Sequence, residues 1–382
     1  MTAEMAKENI FGTAFYALIN SEQDTALHSI REKAFRVFQE KGLPTVGNED
    51  WKYTNVAPIA AIDWTVDDSA MAVGQIVPTE LLNAFRFERN GFTALNLAFA
   101  NVAILRISKE TIIDEPIEFD FAGEAGKAIF PHIIVIAESG SKATVVEKYA
   151  SQTKSLTNTA IQIFVEDNAN LTHYRVQKES AEAFHYGVTE VTVNRGGSYN
   201  ATSINLGGAL SRHDIEVKFT AEGGEAWVDG LYMLNGTQHH DTHSIIDHTV
   251  PNCTSHQNYR GVLNDKSRAV FNGKVFVREN AHGPDAEQSN KNLLLSNDAR
   301  VDTKPQLEIF NDDVKCSHGA TVGQLEDEEL FYLLTRGLPE SLARNLLTYG
   351  FAEEVINKIN IEAIKGELDE AVLNRLNTKL EA

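Results

Sequence analysis

The spacing of apolar residues changes twice along this chain. In "DTALHSIREKAFRVFQEKGLP", residues 24–44, Leu27, Ile30, Ala34, Val37 and Phe38 recur at intervals of three and four. That is a helical stripe, and Gly42 and Pro44 stop it. Residues 1 to about 45 therefore read as helical. The next segment, "GNEDWKYTNVAPIAAIDW", has no regular period and predicts no element.

From about residue 96 the apolar positions alternate. "HIIVIAESGSKATVVEKY", "TAIQIFVEDNANLTHYRVQ", "VTEVTVNRGGSYNATSINL" and "HDIEVKFTAEGGEAWVDGLYML" each hold Val, Ile, Thr and aromatic residues at period 2 around a polar turn. The turn cores fall near Gly140, Asn168, Gly197 and Gly224, separated by 28, 29 and 27 residues. A unit that cannot bury its own apolar face buries it against the next, which makes a parallel β-helix. An antiparallel sandwich with regular turns is the competing architecture.

Near Glu326 the helical period returns. "EDEELFYLLTRG" has acids in its first turn and Gly337 as a stop, and "LPESLARNLLTYG" starts with Pro339 at a first helical position and ends at Gly350. "FAEEVINKI" and "LDEAVLNRLNTKL" continue the spacing. These boundaries divide the chain into an N-terminal helical and mixed region (1–95), a β-helix core (96–325) and a C-terminal helical region (326–382). The helical end either docks a partner or caps the β-stack.

Composition narrows the function classes. A formal charge of −20 argues against a nucleic-acid or anionic-membrane partner, because nothing basic releases phosphate counterions. No run of about 18 apolar residues occurs, and the N-terminus has no apolar core of a secretory signal. The two cysteines, Cys253 and Cys316, make no disulfide framework. These features predict a cytoplasmic protein with free thiols. Neither a G-x-x-x-x-G-K-[ST] loop nor a G-x-G-x-x-G turn opening a helix is present, so any ATP use falls to a partner.

Two stretches carry candidate chemistry. "QHHDTHSIIDHTVPNCTSHQ" holds His239, His240, His243, His248, Cys253 and His256, with Asp241 and Asp247 among them. A mononuclear metal site can be drawn from this run, but it is not the H-E-x-x-H motif. On a strand His239, Asp241 and His243 share one side and His240 takes the other, so ladders within a β-stack are the default role. "KCSHG" places Cys316 and His318 on one face of a strand, a pairing suited to zinc or an iron–sulfur centre. Two ligands are half a site. The alternatives are a buried cysteine beside a satisfied histidine, or a nucleophilic pair oriented by Asp313.

"TKPQLEIFNDDVKCSHGATVG" and "TRGLPESLARNLLTYGF" resemble the C-terminal half of the SufB/SufD family of iron–sulfur cluster assembly proteins, over a stretch from Ala269 to Val355. "LPTVGNEDWKYTN" is similar to the N-terminal signature of the SufD branch, and "DTHSIIDHTVPNCTSHQNYRGVLNDKSRAVFNGK" fits the shared core. The low cysteine count and the chain length point to the same branch. The resemblance implies a mainly β fold, a right-handed parallel β-helix core with helical N- and C-terminal regions.

It also implies a scaffold subunit rather than an enzyme, working with a SufB-like paralogue and a SufC-like ABC-type ATPase. His318, with Cys316 secondary to it, would ligate a transient Fe–S cluster shared with the paralogue. The ATPase would dock on Val322–Val355, through Leu330, Leu333, Arg336, Leu346, Tyr349 and Phe351. No motif of the chain supports a reduced flavin in the assembled complex. An exposed strand edge leaves room for a homodimer in isolation. The competing class is a β-helix polysaccharide enzyme, or a metal-dependent hydrolase built on His239–His256.

Overall fold

The computed structural model describes residues 3–21, 25–67 and 78–375; the other positions, including the end of the predicted helical run 368–380, lie outside the described residues. From Asn101 to Gly323 the chain winds as a parallel β-helix. Among the described residues, its strands form one sheet of ten and one of eight, and each long strand pairs in parallel with the strand two places away in sequence. His239–His248, for example, lies between Leu210–Phe219 and Arg268–Val277. A sandwich of hairpins would pair antiparallel neighbours, so the solenoid reading holds.

The turn spacing has a backbone cause. Gly140, Asn168, Gly196 and Gly223 all have positive φ, the left-handed conformation that glycine and asparagine tolerate. The last two lie one residue before the predicted centres. Each turn hydrogen-bonds to the next coil: Gly140 N–H donates to Asp167 O at 2.9 Å and Asn168 N–H to Arg195 O at 2.8 Å. One turn thus fixes the register of the next.

Between the sheets lies an apolar core that includes Ile133, Val145, Ile163, Leu171, Val191, Val217 and Phe271. Polar side chains thread it, several of them in bonded chains. His173 bridges Glu147 Oε1 at 2.6 Å and the Tyr199 hydroxyl at 2.8 Å, and His185 Nδ1 lies 2.9 Å from Glu179. Paired this way, buried polar groups are tolerated.

The two outer faces are covered by opposite ends of the chain. Helices Thr25–Lys41 and Gly91–Phe99 pack over Phe184, Tyr186 and Val188 of the ten-stranded sheet. Ile30, Ala34 and Phe38 of the predicted stripe are buried there. Asn90 caps the second helix in a reciprocal arrangement with Thr93. The patternless segment forms a short 3-10 helix, Glu49–Trp51, and a single α-turn, Ala57–Ala60.

On the eight-stranded sheet, helices Glu340–Ile356 and Glu362–Arg375 set Ala352, Val355, Ile356, Ile364 and Leu368 against Val176, Ile204, Leu231, Met233 and Val262. Gly350, predicted to end a helix, lies inside one. A helical glycine costs about 1 kcal/mol, whereas burying each large apolar side chain beyond it returns about 1.5–3 kcal/mol. Pro339 caps that helix from outside, with ψ near 145°, rather than opening its first turn. Gly337, at φ +88°, does end the preceding helix, Asp327–Thr335.

Candidate functional site

The C-terminal end of the β-helix is open. Among the described residues, Arg300–Ile309 and Lys315–Gly323 are the last strands of their sheets and pair on one edge only. In register, Cys316 lies over Ala286, His318 over Gln288, Ala320 over Asn290 and Val322 over Asn292. The four residues beneath are all buried, so this alternate set faces the interior. On any earlier coil such residues are core. Here no coil of the described residues stacks above; His318, Ala320 and Val322 are exposed and Cys316 is half-buried.

Cys316 packs against the apolar core. Burial pushes its thiol pKa up, opposed by a hydrogen bond from the Ala286 backbone. In the free chain it is therefore a thiol at neutral pH rather than a ready thiolate. Asp313 sits in the turn before the strand, where its carbonyl accepts Gly283 N–H at 2.8 Å, and it makes no hydrogen bond or ion pair with His318. The nucleophilic-pair arrangement thus lacks its orienting acid.

The histidine run is dispersed. His239 meets the Thr54 hydroxyl at 2.9 Å on the outer face, while His240 points inward to Ser211 at 2.8 Å. His243 pairs with Asp241 at 3.2 Å, His248 turns inward to Ser255 at 2.8 Å, and His256 stacks on Trp227 with ring centres 4.2 Å apart. Cys253 is buried at a turn. Among the described residues, no group of three His, Cys, Asp or Glu side chains is placed to hold a metal ion. Asp241 serves a different purpose: it accepts from Thr54 at 2.6 Å and from Arg212 at 2.8 Å. The "WKYT" segment is thereby clipped onto the sheet.

The six residues expected to dock a partner divide. Arg336 and Leu346 are exposed, and Leu330 and Leu333 are half-buried. Tyr349 and Phe351 turn inward: the Tyr349 hydroxyl donates to Asp369 at 2.9 Å, and Phe351 lies under the Arg260 guanidinium at 4.7 Å. The most exposed aromatic residues of this region are Phe331, at 68%, and Tyr332, at 57%. Sequence reading passed over both because they fall off the apolar stripe, and that same feature was the available signal.

Residues 120–351 match the family described as "SUF system FeS cluster assembly, SufBD core domain", and residues 9–86 match its "SufBD protein N-terminal region". The chain belongs to the SufBD family of iron–sulfur cluster assembly proteins. A SufBD family protein of Synechocystis is 29% identical across 93% of this chain and 92% of its own length. The SufD protein of Escherichia coli is 35% identical over 67% of this chain and 60% of its own. That of Bacillus subtilis is 30% identical over 74% and 66% respectively. Within the SufBD family this chain is SufD-like. Cys316 and His318 fall in the matched core and Trp51–Thr54 in the matched N-terminal region. No helix among the described residues is long and apolar enough to cross a membrane.

Proposed function

We propose that the chain is a non-enzymatic scaffold subunit of a SUF-type assembly complex, and that Cys316 and His318 are its share of a ligand set completed by a SufB-like paralogue. The observation that carries this reading is the exposure of an inward-facing row at an unpaired coil. Two neighbouring soft and borderline donors stand where a second chain can add both a strand edge and further ligands. A shell divided between two chains opens more readily than a closed four-ligand cage, which suits a cluster that is cargo and must leave.

A SufC-like ATPase docks on the helical face beside this end. Phe331, Tyr332, Leu334 and Leu346 expose an apolar surface there, with Arg336 over the Tyr332 ring at 5.1 Å. ATP hydrolysis belongs to that partner. When the paralogue is absent, the same open end supports a homodimer.

The test is anaerobic co-expression of wild type and His318→Ala with the SufB-like and SufC-like proteins, followed by iron and acid-labile sulfide analysis of the purified complex. An intact complex without iron supports a shared ligand site. An intact complex with a full complement of iron and sulfide refutes it.

A further inference from the structure

Gln288 is the inward-facing residue directly beneath His318. It is 1% exposed, and among the described residues it is the only side-chain amide whose nitrogen and oxygen are both buried and both without a hydrogen-bond partner. Its polar neighbours differ. Asn290 accepts from Thr303 at 2.8 Å and from Asn292 at 2.7 Å, and it donates to the Tyr232 hydroxyl at 3.1 Å. Gln257, one coil deeper, accepts from Ser244 at 2.5 Å.

The space for this amide is provided from the opposite sheet. A Cβ on Gly273 would stand 2.4 Å from Gln288 Nε2, so glycine there lets the amide cross the interior. An unpartnered buried amide is costly, and an apolar side chain of equal volume would avoid that cost. A group of this kind one coil below the open end points to a ligand or partner that satisfies it.

A metal-bound histidine uses one ring nitrogen for the metal and donates the other N–H to an oxygen, which fixes its tautomer and orientation. We propose that Gln288 is the positioning residue for His318: its Oε1 accepts the imidazole N–H when a nascent cluster is held at Cys316 and His318. This inference rests on the reading of those two residues as cluster ligands.

The experiment uses the complex co-expressed with the paralogue and the ATPase, carrying Gln288→Met or Gln288→Glu. Methionine keeps the volume and removes the acceptor; glutamate keeps an acceptor. Gln288→Met is expected to lose about tenfold in iron and sulfide retained through gel filtration, and to shift the ¹⁴N coupling of the bound imidazole in pulsed EPR of the reduced complex. Gln288→Glu is expected to restore both. In the isolated chain, Gln288→Met is expected to melt at or above the wild-type temperature.

Wild-type iron retention and coupling in Gln288→Met would overturn the inference. So would a lowered melting temperature combined with iron loss in both variants, since that pattern marks a packing residue. Retention of the cluster by His318→Ala is a separate outcome: it removes the ligand reading itself, and with it the role assigned to Gln288.

Discussion

The guanidinium of Arg212 lies 3.8 Å from the centre of the Trp51 ring. Trp51 in turn stacks against Phe92, at 5.6 Å, and Tyr186, at 5.8 Å, two rings that also stack on each other at 4.8 Å. The same cation donates to Asp214 at 2.8 Å, to Asp241 at 2.8 Å and to the Asp50 carbonyl at 2.6 Å. One side chain therefore joins the N-terminal segment to the ten-stranded sheet. Burial opposes ionisation of Asp241, but Arg212, His243 and Thr54 outweigh it and hold its pKa well below the usual carboxylate range.

Removing that cation is expected to be severe. Arg212→Met leaves Asp214 and Asp241 buried without their shared cation, at a cost of about 3–5 kcal/mol. Arg212→Lys keeps the charge but loses the planar stack and the forked donation, so an intermediate loss is expected. Urea unfolding followed by fluorescence measures both. A wild-type midpoint for Arg212→Met would show that apolar packing and the Thr54 hydrogen bonds hold the segment without the cation.

The buried histidines predict how stability responds to acid. Burial lowers the pKa of His132 to about 4, of His240 to about 3 and of His248 to about 4, against partial opposition from hydrogen bonds or acids nearby. Each folded value lies below the ordinary value near 6.5, so the unfolded chain takes up its protons first. Their contribution is complete above about pH 6.5 and is lost as pH falls toward 4, on the order of 1–2 kcal/mol per histidine by pH 5. Denaturation midpoints at pH 7 and pH 5 check this. His132→Gln, which keeps the volume of a neutral polar group between Asn96 and Gln162, should flatten the dependence; equal slopes would assign it to other groups.

Much of this architecture was legible because its determinants are local. Period-2 alternation and a turn residue with positive φ repeat with each coil, so Gly140 and Asn168 could be found directly. The end of the helix at Gly350 was misread because its continuation depends on a distant sheet that buries Val355 and Ile356. The segment 47–64 gave no pattern because its order comes from side chains far along the chain: Arg212 holds Trp51, and Asp241 holds Thr54. The pairing of Cys316 and His318 on one side of a strand was readable, while the exposure of His318 and the half-burial of Cys316 were not. Exposure follows from being the last coil, and only the stack itself tells which coil is last.

Cys316 supplies a prediction that needs no partner. Burial raises its thiol pKa above the ordinary value, so at pH 7 the thiol form predominates. Alkylation by iodoacetamide in the isolated chain is expected to be slow at pH 7 and to rise about tenfold per pH unit toward pH 9. Peptide mass spectrometry over a time course reads the rate. Fast, pH-independent labelling would mean that Cys316 is already ionised in the free chain. If Cys316 ligates iron as proposed, the slow outcome means that metal binding must displace the proton, which would make loading pH-dependent.

The helical face separates binding from folding. Phe331 and Tyr332 are exposed at 68% and 57%, so Phe331→Ser with Tyr332→Ser should leave stability within about 0.5 kcal/mol per site. If this face docks the ATPase, the loss appears in the complex instead, as at least a tenfold weaker affinity, because exposed aromatic anchors concentrate binding energy. Phe351→Ala is the control. That ring supports Arg260, which also pairs with Glu354 and donates to the Phe351 carbonyl at 3.1 Å. Its removal should lower the unfolding midpoint through lost packing of the C-terminal helices. Isothermal titration with the purified ATPase, run beside thermal melts of each variant, distinguishes the two effects. Unchanged ATPase affinity in the Phe331/Tyr332 double variant would place the docking surface elsewhere.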